Sequence, residues 1–148
     1  MKTGYKIGDA MTFKPVFVSP NTTLIECSKL MSEKHVGSLI IKSNGKPEGI
    51  ITEQDIVRKA VAKCKDFTQT TAEDIMETNL HAVHPEDDIY DALMIMNDFN
   101  VRHLPVIHNH HLVGFLTIKD VLKIEPTLFD LVVRKFEIRE EDHKPVDM

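Results

Sequence analysis

The stretch GIITEQD, residues 49–55, returns as GFLTIKD at residues 114–120. In each, a glycine and two apolar residues run into a threonine, and an aspartate stands three positions further on. This reads as the end of a strand turning into a helix. A threonine followed three residues later by an acid is a capping box, which satisfies free N–H groups at a helix start. A cap does not require the glycine. Within a strand glycine weakens the structure, and its uses there are a tight bend or close approach by a ligand or another backbone.

Outward from this pair, the same shift of 65 residues (Asp55 to Asp120) holds without insertion back to Asp9 and Asp74. Met11 falls on Met76, Val18 and Pro20 on Val83 and Pro85, Met31 on Met96, Val36 on Val101, Leu39 on Leu104 and Asn44 on Asn109. The sequence is a duplication. Each copy begins with a short helical turn, IGDAM or AEDIM, then a brief extended segment, PVFVSP or LHAVHP, ending on proline. A helix comes next, with Leu24, Cys27, Leu30 and Met31 on one face in the first copy and Ile89, Leu93 and Met96 in the second. Asn21 and Thr22, or Glu86 and Asp87, supply its caps and first-turn acids. Two apolar runs around Asn-Gly, GSLIIKS and EGIIT, then signal a hairpin, with HLPVIHN and VGFLT as the second version. A final helix closes each copy.

The predicted architecture is therefore α+β: two β-α-β-β-α repeats, over residues 6–63 and 71–125. A unit of about 60 residues with three strands buries its core poorly alone. The two repeats are expected to pack sheet to sheet about a pseudo-twofold axis. Pro126, Leu128, Val132, Val133 and Phe136 predict a C-terminal amphipathic helix over 126–141.

Composition narrows the function. With 42% hydrophobic and 28% charged residues, the chain reads as a globular protein and not a disordered one. Its formal charge of −5 argues against a general nucleic-acid binder. No apolar run reaches the length of a signal core or a membrane span, so a cytoplasmic, membrane-free protein is expected. Cys27 and Cys64 lie outside any zinc spacing. His108, His110 and His111 cluster in IHNHHLVG, and imidazoles bind transition metals. They occupy a hairpin turn with no carboxylate or thiol to complete a set, so no metal site is expected. His35, His84 and His143 read as surface residues, and the methionines of LMIMNDF as core. There is no GxSxG, no matched Cys and His, and no phosphate-binding glycine loop, so no catalytic residue is expected.

The duplicated order, the two GxxTxxD segments, the V-x-P after the first strand and VRHLPV in the second copy together resemble the tandem CBS module, named after cystathionine β-synthase. The resemblance covers roughly residues 6–125. It implies a stand-alone regulatory module without a permanent cofactor, binding AMP, ADP, ATP or S-adenosylmethionine in clefts between the repeats. A carboxylate can accept two hydrogen bonds from a ribose diol, and a threonine hydroxyl with N–H groups at a helix start suits the phosphate. Carried over by position, one cleft takes Thr52 and Asp55 with Leu80, His81, Val101, Arg102, His103 and Lys119. The other takes Thr117 and Asp120 with Val16, Phe17, Val36, Gly37 and Ser38. Arg102, His103 and Lys119 align with Gly37, Ser38 and Gln54, so the cations fall to the first cleft. That cleft is expected to hold phosphate better, and the second to bind weakly or to prefer a less anionic ligand. Ile40 stands where the second copy has Pro105, a departure from the pattern. The resemblance also implies a homodimer and an effector protein that the sequence does not identify. The rival reading is a structural dimerisation adaptor with empty clefts, and a third is nucleic-acid binding by the basic cleft.

Overall fold

The computed structural model describes residues 2–13 and 15–133. The first copy contains α1 (Ile7–Ala10), β1 (Phe17–Val18), α2 (Leu24–Lys34), β2 (Ser38–Ser43), β3 (Lys46–Thr52) and the single turn α3 (Glu53–Asp55). α3 runs into a π-helical segment, Ile56–Val61, where an ordinary helix is expected. The second copy contains α4 (Ala72–Ile75), α5 (Ile89–Phe99), β4 (His103–His108), β5 (His111–Thr117) and α6 (Ile118–Ile124). A 3₁₀ turn at Pro126–Leu128 leads into helical residues 129–133. The rest of the C-terminal helix expected to residue 141 lies outside the described residues. Mixed helices and strands in two sheets make this an α+β fold, as expected.

Local chemistry sets the element ends. Thr23, and not the expected Asn21 or Thr22, caps α2 by accepting from the Glu26 N–H. Asp88, and not Glu86 or Asp87, caps α5 by accepting from the Tyr90 N–H. Both helices end on a left-handed residue, His35 (φ 54°) and Asn100 (φ 52°). The hairpin turns place two consecutive residues at positive φ, Asn44 (51°) with Gly45 (78°) and Asn109 (51°) with His110 (65°). Two positive φ values are what a two-residue hairpin matched to strand twist requires.

In the first copy β1 pairs parallel with β2, and β2 antiparallel with β3. In the second copy β4 pairs antiparallel with β5, and the first strand shrinks to one parallel bridge, Val83 with Val106.

The described chain falls into two compact units that cross the repeat boundaries. One runs from Lys14 to Leu80; the other joins the segment up to Phe13 with the chain from His81 onward. Each opening turn thus serves the other copy's sheet. Thr12 and Phe115 exchange both backbone hydrogen bonds, at 2.8 and 3.0 Å, and Glu77 and Ile50 do the same at 2.9 and 3.0 Å. Ile7, fully buried, completes a core with Val83, Ile89, Leu93, Leu104 and Leu116. Ala72 and Ile75 complete the other, with Leu24, Leu39, Ile41 and Ile51. Burial of a side chain such as Ile7 contributes about 1.5–3 kcal/mol.

Candidate functional site

Both Gly-x-x-Thr-x-x-Asp segments fold into complete capping boxes, and Thr71 and Asp74 form another at the start of α4. Thr52 N–H donates to Asp55 Oδ2 at 3.0 Å, and Asp55 N–H donates to Thr52 Oγ1 at 3.2 Å. Thr117 and Asp120 repeat this at 2.9 and 3.2 Å. All four residues are half-buried.

The glycines are explained by packing. A Cβ on Gly49 would lie 2.6 Å from Met76 Sδ, 2.9 Å from its Cγ and 3.0 Å from the Glu77 carbonyl oxygen. A Cβ on Gly114 would overlap Met11 Sδ and lie 3.1 Å from the Thr12 carbonyl oxygen. Of the uses that the sequence leaves open, a tight bend or close approach by a ligand or another backbone, the structure shows close approach, by the methionine and backbone of the opening turn.

The remaining candidates gather by unit. In the first, Ser38 pairs with Thr52 across the hairpin, the Gly37 carbonyl accepts from the Glu53 N–H at 3.0 Å, and the Val16 carbonyl accepts from Ile40 at 2.9 Å. Phe17 pairs with Ile40, two residues along, and carries the Lys42 ammonium 4.7 Å above its ring. Val36 comes just after the left-handed end of α2, its N–H bonded to Met31. In the second unit, His103 pairs with Thr117, and the Arg102 carbonyl accepts from the Ile118 N–H at 3.3 Å. The Arg102 and Lys119 side chains are at least partly exposed beside it, and the Val101 N–H bonds to Met96. The His103 ring stacks on Phe115, with centroids 5.7 Å apart, and His81 stacks on Phe99 at 3.9 Å. Leu80 ends the first unit.

Two features escaped the sequence. Lys59 Nζ lies 3.3 Å from Asp55 Oδ1 and donates to the Ile75 carbonyl at 3.2 Å. The i,i+4 spacing of an acid and a lysine was the available signal. His84, read as an isolated surface residue, is bonded to His108, with Nε2 and Nδ1 2.9 Å apart. No signal in the sequence joins those two, which meet only because Val83 lies beside β4. Among the described residues no group of three or more His, Cys, Asp or Glu could hold a metal ion. Likewise no helix there is long and apolar enough to cross a membrane.

A sequence model of the CBS domain matches residues 7–62 and 72–126. The chain is 31% identical over 115 residues to the CBS domain-containing protein YhcV of Bacillus subtilis, covering 78% of this chain and 81% of that one. Among solved structures it resembles the CBS domain pair of protein MJ0100 in complex with 5′-methylthioadenosine and S-adenosyl-L-methionine. There the TM-score is 0.74 at 26% identity, covering 82% and 96% of the two chains. It also resembles a hexameric CBS-CP12 protein from bloom-forming cyanobacteria, with TM-score 0.75 at 26% identity over 88% and 75%.

Proposed function

The chain belongs to the CBS domain family, and from that premise we propose that it is a non-catalytic regulatory module for an adenosyl ligand. The ligand class is AMP, ADP, ATP or S-adenosylmethionine, and its binding shifts a conformational population that an effector protein reads. The observation that carries the reading is the box that closes each strand-to-helix GxxTxxD segment, in which each aspartate uses only Oδ2 for its cap. A second oxygen on each carboxylate thus lies outside the cap, as acceptance of a ribose diol would need. The bound ligands of the MJ0100 pair support the same class. Arg102 and Lys119 are the proposed partners of a phosphate, through charge-assisted contacts. Self-association, as a homodimer, is part of the proposal.

The test is thermal unfolding and titration calorimetry with AMP, ADP, ATP and S-adenosylmethionine. A ligand at about 100 times its Kd stabilises by about 2.7 kcal/mol, which raises Tm by several degrees. No shift with any of the four overturns the reading. It would leave the structural adaptor, which one observation favours: cap and methionine together account for every fixed residue of GxxTxxD without a ligand. Light scattering that returns the mass of one chain overturns the dimer.

A further inference from the structure

We infer that Lys59 decides which of the two repeated carboxylates is open to a ligand diol, and so acts as a specificity-determining residue. The inference rests on the functional reading above and ranks the two copies within it.

The two boxes are alike in their cap and unlike in their outer oxygen. Asp55 Oδ1 faces the Lys59 ammonium at 3.3 Å, and the same ammonium is anchored on the Ile75 carbonyl at 3.2 Å. Asp55 is the more enclosed partner, with 17% of its side chain accessible against 42% for Lys59. Lys59 sits within the π-helical segment Ile56–Val61, one turn above Asp55, and its neighbour Ala60 is fully buried. The position 65 residues on is Ile124, at the end of the regular helix α6. No cation can be supplied there by the same route. Among the described residues Asp120 Oδ1 has no hydrogen-bond or ion-pair partner.

A vicinal diol donates two O–H groups to one carboxylate. At Asp120 it meets an outer oxygen without a described partner. At Asp55 it must share or displace an ammonium that two acceptors hold. For diol capture this places Asp120 ahead of Asp55, the reverse of the order expected for phosphate from the alignment of Arg102 and Lys119 with Gly37 and Gln54. A partly exposed ion pair is a weak restraint, so Lys59 shifts the balance without closing the site.

Calorimetry with adenosine, which carries the diol and no phosphate, separates the two effects, because Lys59 would also attract an anion. Asp120→Asn should weaken adenosine binding at least tenfold, and Asp55→Asn by less than twofold. Lys59→Ile, which installs the residue of the second copy, should strengthen binding at Asp55 by about fivefold, the equivalent of about 1 kcal/mol. That gain should vanish with 2′,3′-dideoxyadenosine and in the Lys59→Ile, Asp55→Asn double variant. Lys59→Met serves as a second variant, and melting curves confirm that each protein is folded. Adenosine binding without any Lys59 effect, or a gain that persists with the dideoxy analogue, overturns the inference and spares the functional reading. Absence of adenosine and AMP binding in every folded variant overturns both.

Discussion

A methyl group added at Gly49 would stand 2.6 Å from Met76 Sδ, closer than real Cβ atoms approach, and at a tight 3.0 Å from the Glu77 carbonyl oxygen. At Gly37 the same methyl would meet only the Glu53 carboxylate, at 3.5 Å, an ordinary contact. Gly49→Ala should therefore destabilise the protein by about 1–3 kcal/mol, the range of core overpacking, while Gly37→Ala stays within about 0.5 kcal/mol. Urea unfolding measures both. A Met76→Ala background should relieve much of the Gly49→Ala penalty, because the two positions share one space. Equal effects at Gly37 and Gly49 would mean that the glycine serves backbone freedom and not packing. From sequence alone the need for a glycine was legible at this position, and what fills its space was not. The methionine stands 27 residues away (Gly49 to Met76), and no local pattern links the two.

Among the elements, α5 shows most clearly how one end residue organises its surroundings. Asp88 caps it through the Tyr90 N–H at 2.8 Å and also accepts from the N–H groups of Thr3 and Gly4, both at 2.9 Å, and from the Thr3 hydroxyl at 2.8 Å. Partial burial pushes its carboxyl up, but these four donors together outweigh it and hold the group below its ordinary value. A depressed carboxylate contributes stability that is fully present above the unfolded pKa, about 3.9 for Asp, and that is lost as pH falls through the lower folded value. Asp88→Ala should cost about 1 kcal/mol at pH 7 as a lost cap, and the gap from the unmodified protein should narrow below about pH 4. Urea unfolding at pH 7 and pH 3 checks this. A gap that stays constant across that range would show that the four donors do not favour the charged form. That acids gather at the start of α5 was readable from sequence, but Glu86 and Asp87 fall before the helix, which Asp88 caps and Asp91 enters in the first turn. The grip on Thr3 and Gly4 was not readable, because its partners lie more than eighty positions away (Thr3 to Asp88).

The whole chain is organised by an exchange. Met11 and Met76 are equivalent in the duplication, as are Gly49 and Gly114, yet Met11 packs on Gly114 and Met76 on Gly49. Each compact unit thus borrows its opening turn from the other copy's sequence. Removing residues 1–13 should destabilise first the unit that begins at His81, which would lose Ile7 from its core and the Thr12 pairing from its sheet, and only secondarily the unit of Lys14–Leu80. Backbone NMR spectra can be read unit by unit. The milder change Ile7→Ala should cost about 2–5 kcal/mol, with loss of hydrogen-exchange protection confined to residues 81 onward. Uniform loss in both units would contradict the exchange.

Periodicity, turn chemistry and the constant shift of 65 determined the duplication, the α+β class, the hairpins and both GxxTxxD capping boxes, because each depends on residues a few positions apart or on their recurrence. Those are short-range interactions, written in local spacing. Only the tertiary structure decided which opening turn serves which sheet, since the two copies carry the same local pattern and either assignment satisfies it. It likewise decided that Lys59, held by Ile75 from another element, pairs with the outer oxygen of Asp55 and leaves that of Asp120 without a described partner. An i,i+4 pair is only an option in sequence. It becomes a restraint when the fold brings a second acceptor within reach of the same ammonium.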